Sequence, residues 1–425
     1  MKKILSLITL LFLSFVSLSQ TITTVAGGGI DVQFPTDESP ALGSNMNPTG
    51  IAFSKSGELL IVGDNRLCKV DSFGMIFKIA GNGTNINTGD GQPAFYSQIN
   101  SSKVSVNKNG EILLAGQYST RIIDLSMVIK NNGLPLEPLP EVLTDIKCDT
   151  NGNIFTISGF MVVKKNLNWT RFAGTSNPHD PIWINFPTLA DSCKIVPFGL
   201  GVDNYNNVYV ADSFSKRILK ISNNTISEYV GNGLPVLISG FYKSVAGSYT
   251  GDNGSATSAG INIGSTPTTI GMAFDKNNNL YFSDINNHAI RKVDYITGKI
   301  TTILPVDTNE LKYPSSLAFD KDDNLFVVDY GNKRVRKIDF SNGPNSIKDT
   351  KIDKNISVYP NPFQDILVLK SDLEINSIQI VNTLGQNVLS QKGNKSNSVT
   401  LDTKTLKSGL YFINTNNNIY KIVKQ

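Results

Sequence analysis

Short runs of apolar residues, alternating or nearly continuous, recur along most of this chain, and each is broken by a turn rich in Asn, Asp and Gly. Gly50-Ile-Ala-Phe53, followed by Gly57-Glu-Leu-Leu-Ile-Val62, is matched by Gly271-Met-Ala-Phe274-Asp-Lys-Asn-Asn-Asn-Leu-Tyr-Phe-Ser-Asp284 and by Ser316-Leu-Ala-Phe319-Asp-Lys-Asp-Asp-Asn-Leu-Phe-Val-Val-Asp329. Weaker copies are anchored at Val106, Cys148 and Val202. The six anchors, Phe53, Val106, Cys148, Val202, Phe274 and Phe319, lie 53, 42, 54, 72 and 45 residues apart. A period of just over about 40 residues, filled by short strands, predicts a propeller blade of four antiparallel strands.

Within a unit, the two strands around the anchor are followed by a third, as in Arg217-Ile-Leu-Lys-Ile221, Ile290-Arg-Lys-Val293 and Arg334-Val-Arg-Lys-Ile338. A fourth follows, as in Met75-Ile-Phe-Lys-Ile79, Thr225–Val230 and Lys299–Ile303; in the second unit it falls near Val128. The sixth unit stops at Phe340 without a fourth strand. Thr21-Ile-Thr-Thr-Val-Ala26 resembles Lys299-Ile-Thr-Thr-Ile303 and supplies the missing one, which closes the ring and removes its open edges. The fold expected is all-β: a six-bladed β-propeller over residues 20–340, then a linker over 341–355 and a small Ig-like β-sandwich over 356–425. The sandwich rests on Val358-Tyr-Pro-Asn-Pro-Phe363, Ile378-Gln-Ile-Val-Asn-Thr-Leu-Gly-Gln-Asn-Val388 and Leu406-Lys-Ser-Gly-Leu-Tyr-Phe-Ile413.

Lys2 and Lys3, the apolar run Ile4–Val16 and small residues at Ser17 and Ser19 form a signal-peptide layout over residues 1–19. The run is too short to span a bilayer, and no later run is long enough. The formal charge is +4. Without Lys2 and Lys3 it is +2, and the segment from Ile352 carries +3, which leaves about −1 for the middle. That is no footprint for nucleic acid. With two His and three Cys the chain lacks the material for a multi-His zinc site, a disulfide framework or a CxxC centre, so no metal or cofactor is expected.

Two resemblances narrow this. Tyr209-Val-Ala-Asp212 with Lys216-Arg217-Ile218, Asp284-Ile-Asn-Asn-His288-Ala-Ile-Arg-Lys-Val293 and Asp329-Tyr-Gly-Asn-Lys-Arg334-Val-Arg-Lys resemble NHL-repeat propellers, as do Gly89-Asp-Gly-Gln-Pro-Ala94 and Gly251-Asp-Asn-Gly-Ser-Ala-Thr-Ser-Ala259 between blades. In blades one to three the Asp slot holds Gly63, Gly116 and Ser158. That family spans binding scaffolds and a few enzymes. The C-terminal module resembles the sorting domain of type IX secretion cargo of the Bacteroidota, on Tyr359, Pro360, Asn361, Pro362, Gly385, Gly409 and Tyr411, with Asn382 where many members carry Asp. This implies handling by the type IX machinery, removal of the domain by a sortase, and a secreted or outer-membrane surface-attached product.

Candidate chemistry is sparse. Asp275–Asn279 and Asp320–Asn324 are too short for calcium loops and read as tight turns. Asp212, Asp284 and Asp329 end second strands, where they either ring a channel mouth or bond loop amides. His288 occupies a slot where NHL repeats often carry His, and His179-Asp180 has no nucleophile placed beside it. Cys148 fills a core anchor; Cys68 lies in a strand and Cys193 in a loop, so at most one bridge is possible. Catalytic residues are unassigned. The connections between blades, Gly81–Ser102, Gly174–Val196 and Gly231–Pro267, are expected to open onto one face and to present Phe95, Tyr96, Trp183, Phe186, Phe241, Tyr242 and Tyr249 to an extracellular protein or glycan. The reading is a binding scaffold. The alternative is a propeller enzyme, a lyase or lactonase-like hydrolase.

Overall fold

The structure, a computed structural model, describes residues 21–29, 38–116, 119–133, 145–175, 187–234, 236–238, 241–264, 269–304, 311–340, 356–382, 387–415 and 418–425. Each repeat becomes a four-stranded antiparallel sheet, to which the incoming connection adds a two-residue fifth strand in blade one (Ser39–Pro40) and blade four (Thr188–Leu189). Its innermost strand is Pro48–Phe53, Lys103–Val106, Ile146–Cys148, Pro197–Val202, Met272–Phe274 or Pro314–Phe319 in blades one to six. These six strands touch one another in chain order, and the sixth touches the first, which makes a closed ring. The second strands explain why blades stack. Leu59–Gly63, Ile112–Gly116, Ile154–Ser158, Val208–Asp212, Leu280–Asp284 and Leu325–Asp329 are buried at every residue, covered by a blade on either side. A strand covered on both faces must be an unbroken apolar run, and that is what made the repeat visible.

The ring closes through Thr21–Gly27, which lies beside Arg334–Asp339 as the fourth strand of the sixth blade. Gly28 N donates to Lys333 O at 3.2 Å. Gly27 has φ +81°, and a Cβ there would stand 2.4 Å from Lys333 O, so only glycine fits where the two ends of the propeller meet. The fourth strand of blade two is Ile129–Asn131.

Cross-strand pairs join the second and third strands of four blades. Lys164 faces Phe155, Lys220 faces Tyr209, Lys292 faces Tyr281 and Lys337 faces Phe326 in register. Each ammonium stands 5.4–5.8 Å from its ring centroid.

The connections between blades are not free loops. Four of them run down the outer strand of the next blade, turn, and climb back to its innermost strand. At the bottom of each descent an alanine amide donates to the turn between the third and fourth strands: Ala41 N to Gly74 O, Ala94 N to Met127 O, Ala190 N to Asn224 O and Ala256 N to Gly298 O, at 2.7–2.9 Å. The four alanines are buried, and so are the residues three and five positions on: Ser44 and Met46, Ser97 and Ile99, Cys193 and Ile195, Ala259 and Ile261. A small side chain is needed where the segment is wedged between two sheets, and a large one then plugs the gap above it. Buried arginines tie two of these clips to the third strand, Arg121 to Asp90 at 2.6 Å and Arg291 to Asp252 at 2.9 Å.

Ile22–Asp339 forms one compact unit, and the chain from Phe340 on belongs to another. In the second unit Ile356–Tyr359, Ile366–Asn382, Gly409–Thr415 and Asn418–Lys424 pair in that order, with Asn387–Asp402 along the other edge of Ile366–Asn382. Phe363, Leu367, Leu369, Ile378, Ile380, Leu401, Tyr411 and Ile413 form its core. The signal segment 1–19 and the linker 341–355 lie outside the described residues.

Candidate functional site

Strands alternate direction, so each blade has two ends. Connections between blades, and the loops between second and third strands, lie at the connection end. Turns between first and second and between third and fourth strands lie at the turn end. This frame places every candidate.

Asp212, Asp284 and Asp329 stand at the connection end with no exposure to solvent. Asp212 Oδ1 accepts from Val196 N (3.0 Å) and Phe214 N (3.2 Å), and Oδ2 accepts from Ser215 Oγ. Asp284 accepts from Asn262 N at 2.7 Å and pairs with Arg291 at 3.2 Å. Asp329 accepts from Lys312 N at 2.8 Å and from Asn332 Nδ2. Each carboxylate therefore ties the chain arriving at its blade to the blade's own loop. Burial pushes all three carboxyls above their ordinary range, against the pull of these donors. In blade one the same task falls to Asp64, one residue past Gly63, which accepts from Asn47 N and Nδ2 at 2.9 and 2.8 Å. His288 is also committed: its Nδ1 accepts from Tyr313 N at 3.0 Å, its ring stands edge-on to Tyr313, and burial lowers its pKa.

Asp275 and Asp320 serve their turns. Asp275 Oδ1 accepts from Asn277 N and Asn279 N, and Asp320 Oδ1 from Asp322 N and Asn324 N, all at 2.8–3.0 Å. Left-handed Asn206 and Asn278 accept from the preceding blade's turn, at Thr150 N and Asn204 N, which links neighbouring blades around the turn end. Cys68, Cys148 and Cys193 are all free thiols. Cys193 is the small buried residue of its clip, and burial pushes its thiol up to about 11.

The aromatic candidates separate. Phe95 and Tyr96 follow Ala94, whose amide is bound to Met127 in a turn between third and fourth strands. They therefore sit at the turn end, a correction to their expected place on the connection face. A connection that descends the blade carries its middle residues to the far end. There Phe95 stands edge-on to Tyr96, with Lys78 Nζ 3.8 Å from its ring centroid. Tyr249 stays near the connection end: its neighbour Ser248 accepts from Asn287 Nδ2 at 2.9 Å, its hydroxyl bonds Thr302 Oγ1 at 2.9 Å, and Arg291 lies 5.1 Å from its ring centroid. Phe241 and Tyr242 belong to a two-stranded hairpin, Val236–Ile238 with Phe241–Lys243. Val245 N and Ser244 Oγ anchor the residues after it to Phe214 O. Trp183, Phe186, His179 and Asp180 lie outside the described residues.

One feature escaped the repeat alignment. Three residues before each anchor, on the innermost strand or immediately before it, stand Gly50, Lys103, Asp145, Gly199, Gly271 and Ser316. The slot is tight: a Cβ on Gly271 would meet Ser315 O at 1.9 Å. Ser316 Oγ accepts from Ile51 N of the next blade at 3.2 Å, and Asp145 Oδ2 does the same for Leu200 N at 2.9 Å. Lys103 cannot accept. Its Nζ reaches back to Thr49 O at 2.7 Å, and burial lowers its pKa to about 8, partly offset by Asp145. Aligning all six strands on their anchors would have exposed this charged pair among small residues.

Of the sorting-module residues, Asn361 Oδ1 accepts from Val423 N at 2.9 Å and Tyr411 Oη donates to Lys407 O at 2.8 Å. Tyr359, Pro360 and Pro362 are exposed around this contact, Gly409 starts a strand, and Gly385 lies outside the described residues.

Residues 357–425 match the secretion system C-terminal sorting domain, and residues 311–338 match the NHL repeat. No curated protein matches the chain in sequence. Among solved structures, the chain is similar to an auxiliary nutrient binding protein from Bacteroides ovatus ATCC 8483, with TM-score 0.53 and 15% identity over 76% of this chain and 77% of that one. It is similar to another so described from Bacteroides thetaiotaomicron VPI-5482, with TM-score 0.51 and 14% identity over 76% and 77%. A structural genomics protein of unknown function from the same organism gives TM-score 0.52 and 14% identity over 76% of each chain. At such identities the likeness is one of fold. The chain thus carries an NHL repeat within a β-propeller and a C-terminal sorting domain of type IX secretion, which marks it for the cell surface or the medium.

Proposed function

We propose that the propeller is an exported binding scaffold that takes an extracellular protein or glycan at its connection end. The observation that carries this reading is the connection from blade four to blade five, which adds the Val236–Lys243 hairpin beside the Phe214 loop and sets Tyr249 on the flank below. Such an appendage contributes nothing to blade pairing, and insertions on rigid scaffolds are where recognition usually resides. Nutrient binding by structures of similar fold agrees with it. The site would work by contact area, with aromatic faces for sugar rings or apolar side chains.

A glycan and peptide array probed with the purified chain tests this. Tyr242→Ala with Tyr249→Ala is expected to abolish capture while circular dichroism is unchanged. Capture that survives this variant, and fails instead when Asp275–Asn279 at the turn end is altered, would sink the assignment.

A further inference from the structure

The connection from blade five to blade six enters the innermost strand Pro314–Phe319 through Leu311, Lys312 and Tyr313. Lys312 is held within blade six: its N donates to Asp329 Oδ1 and its O accepts from Gly331 N, both at 2.8 Å. Tyr313 N donates instead to blade five, to Nδ1 of His288 in the loop between second and third strands, at 3.0 Å. Tyr313 has φ +49°, a conformation that strains a bulky residue and persists only where its neighbours hold it. Pro314, next in the chain, has no N–H to offer. The bond to the imidazole therefore ties this backbone to the preceding blade.

A backbone N–H only donates, so Nδ1 presents its lone pair and the proton of the neutral ring sits on Nε2. Protonation puts an N–H on Nδ1 as well. Two donors then face each other, and the bond is lost. The loop that carries His288 is anchored separately: Asn286 N donates to Asn262 O at 3.2 Å, Asn287 Nδ2 to Ser248 O at 2.9 Å, and Asp284 pairs with Arg291. What yields is the Tyr313 segment, not the loop. Two charges act on the ring, Lys312 on the segment and Asp329 at the end of the second strand of blade six, which in turn faces Arg336 and Arg334. Burial, then Lys312, favours the neutral ring and Asp329 opposes them, so the imidazole titrates below its ordinary 6.5.

We propose that His288 is an acid-sensitive latch: neutral, it fastens the entry to blade six against blade five, and protonated, it lets residues 311–313 go. The change is local. Pro314–Phe319 keeps its pairing with Leu325–Asp329, so the ring stays closed while its connection end loosens. That end then has one surface at neutral pH and another in acid, with a switch whose ordinary pKa lies near neutrality. This inference is independent of the ligand proposed for the connection end.

Amide exchange of the full chain, read at Tyr313 at pH 7.5 and at pH 4.5 and corrected for intrinsic exchange, tests it. Protection of Tyr313 is expected to fall at least about tenfold at the lower pH, as the loss of one hydrogen bond implies. His288→Asn is the decisive variant. Asn accepts the left-handed backbone of this position, its Oδ1 stands where Nδ1 stood, and it does not titrate, so Tyr313 should stay protected at both pH values. His288→Phe should leave it unprotected at both. The chain has two histidines, so nitrogen NMR of labelled histidine, with His179→Gln for assignment, should show His288 carrying its proton on Nε2 at pH 7.5 and on both nitrogens at pH 4.5. An equal loss of protection in parent and His288→Asn would overturn the proposal, because another group would then be the switch. So would a ring still neutral at pH 4.5, a proton on Nδ1 at pH 7.5, or a Tyr313 amide that stays protected once His288 is charged.

Discussion

Lys103 is the residue whose environment departs furthest from its repeat. An ammonium that titrates near 8 when folded and near 10.5 when unfolded is bound less tightly by the native chain. Between those values the unfolded state holds more protons, so stability rises with pH across this window and is lost again as pH falls through 8. The expected gain is about 3 kcal/mol. Melting curves from pH 7 to 10 should show the parent chain rising relative to Lys103→Met. Parallel curves would mean that Lys103 is not held by burial. Asp284 makes a second case: Asp284→Ala leaves the buried Arg291 with Asp252 as its remaining carboxylate and leaves the Asn262 amide without its acceptor, and is expected to cost about 1–3 kcal/mol in denaturant titrations. Cys193 is the opposite, because Ser44, Ser97 and Ala259 fill its slot in other clips. Cys193→Ser and Cys193→Ala should each cost under about 1 kcal/mol.

The closing strand carries the sharpest prediction among the elements. Deleting Thr21–Gly29 removes the fourth strand of the sixth blade and its contacts to Ala41 and Lys333, and is expected to destabilise the propeller by several kcal/mol, on the order of a paired strand and its buried side chains. An unchanged melting temperature would refute the pairing. This strand was legible because Thr21–Ala26 copies the fourth strand of blade five. The blades were legible where second strands are buried on both sides and end in Asp, and faint where Gly63 and Gly116 took that position. The clips were half legible. Their fixed points are an alanine, a small residue and an Ile or Met three and five positions on, residues too common for Ser39–Met46 or Leu189–Ile195 to stand out without the Gly-Asp signal of the other two. Phe95 and Tyr96 were misplaced for the same reason: apolar patterning marks a connection without telling whether it arches over the end or runs down the flank. Lys103 and Asp145 were missed because the repeats were compared from their anchors onward, without the small residues three positions before them.

For the whole molecule, the paired export signals set the expectation that the mature protein lacks residues 1–19 and the segment after about Ile352. Intact mass of the exported protein checks it, and a product that retains Tyr359–Pro362 would exclude processing at the linker.

The order in which the ring is built has a further effect. Thr21–Gly27 is made before every other strand of the propeller, yet its hydrogen-bonding neighbour, Arg334–Asp339, lies more than three hundred positions later. Contacts so distant in sequence form slowly, and none of them forms before the last repeat exists. Until then the first strand has no blade to join, and the first and sixth blades are not in contact. Ring closure is thus deferred until nearly all of the propeller has been made, and the closing strand stays unpaired for longer than any strand whose neighbour lies in its own repeat.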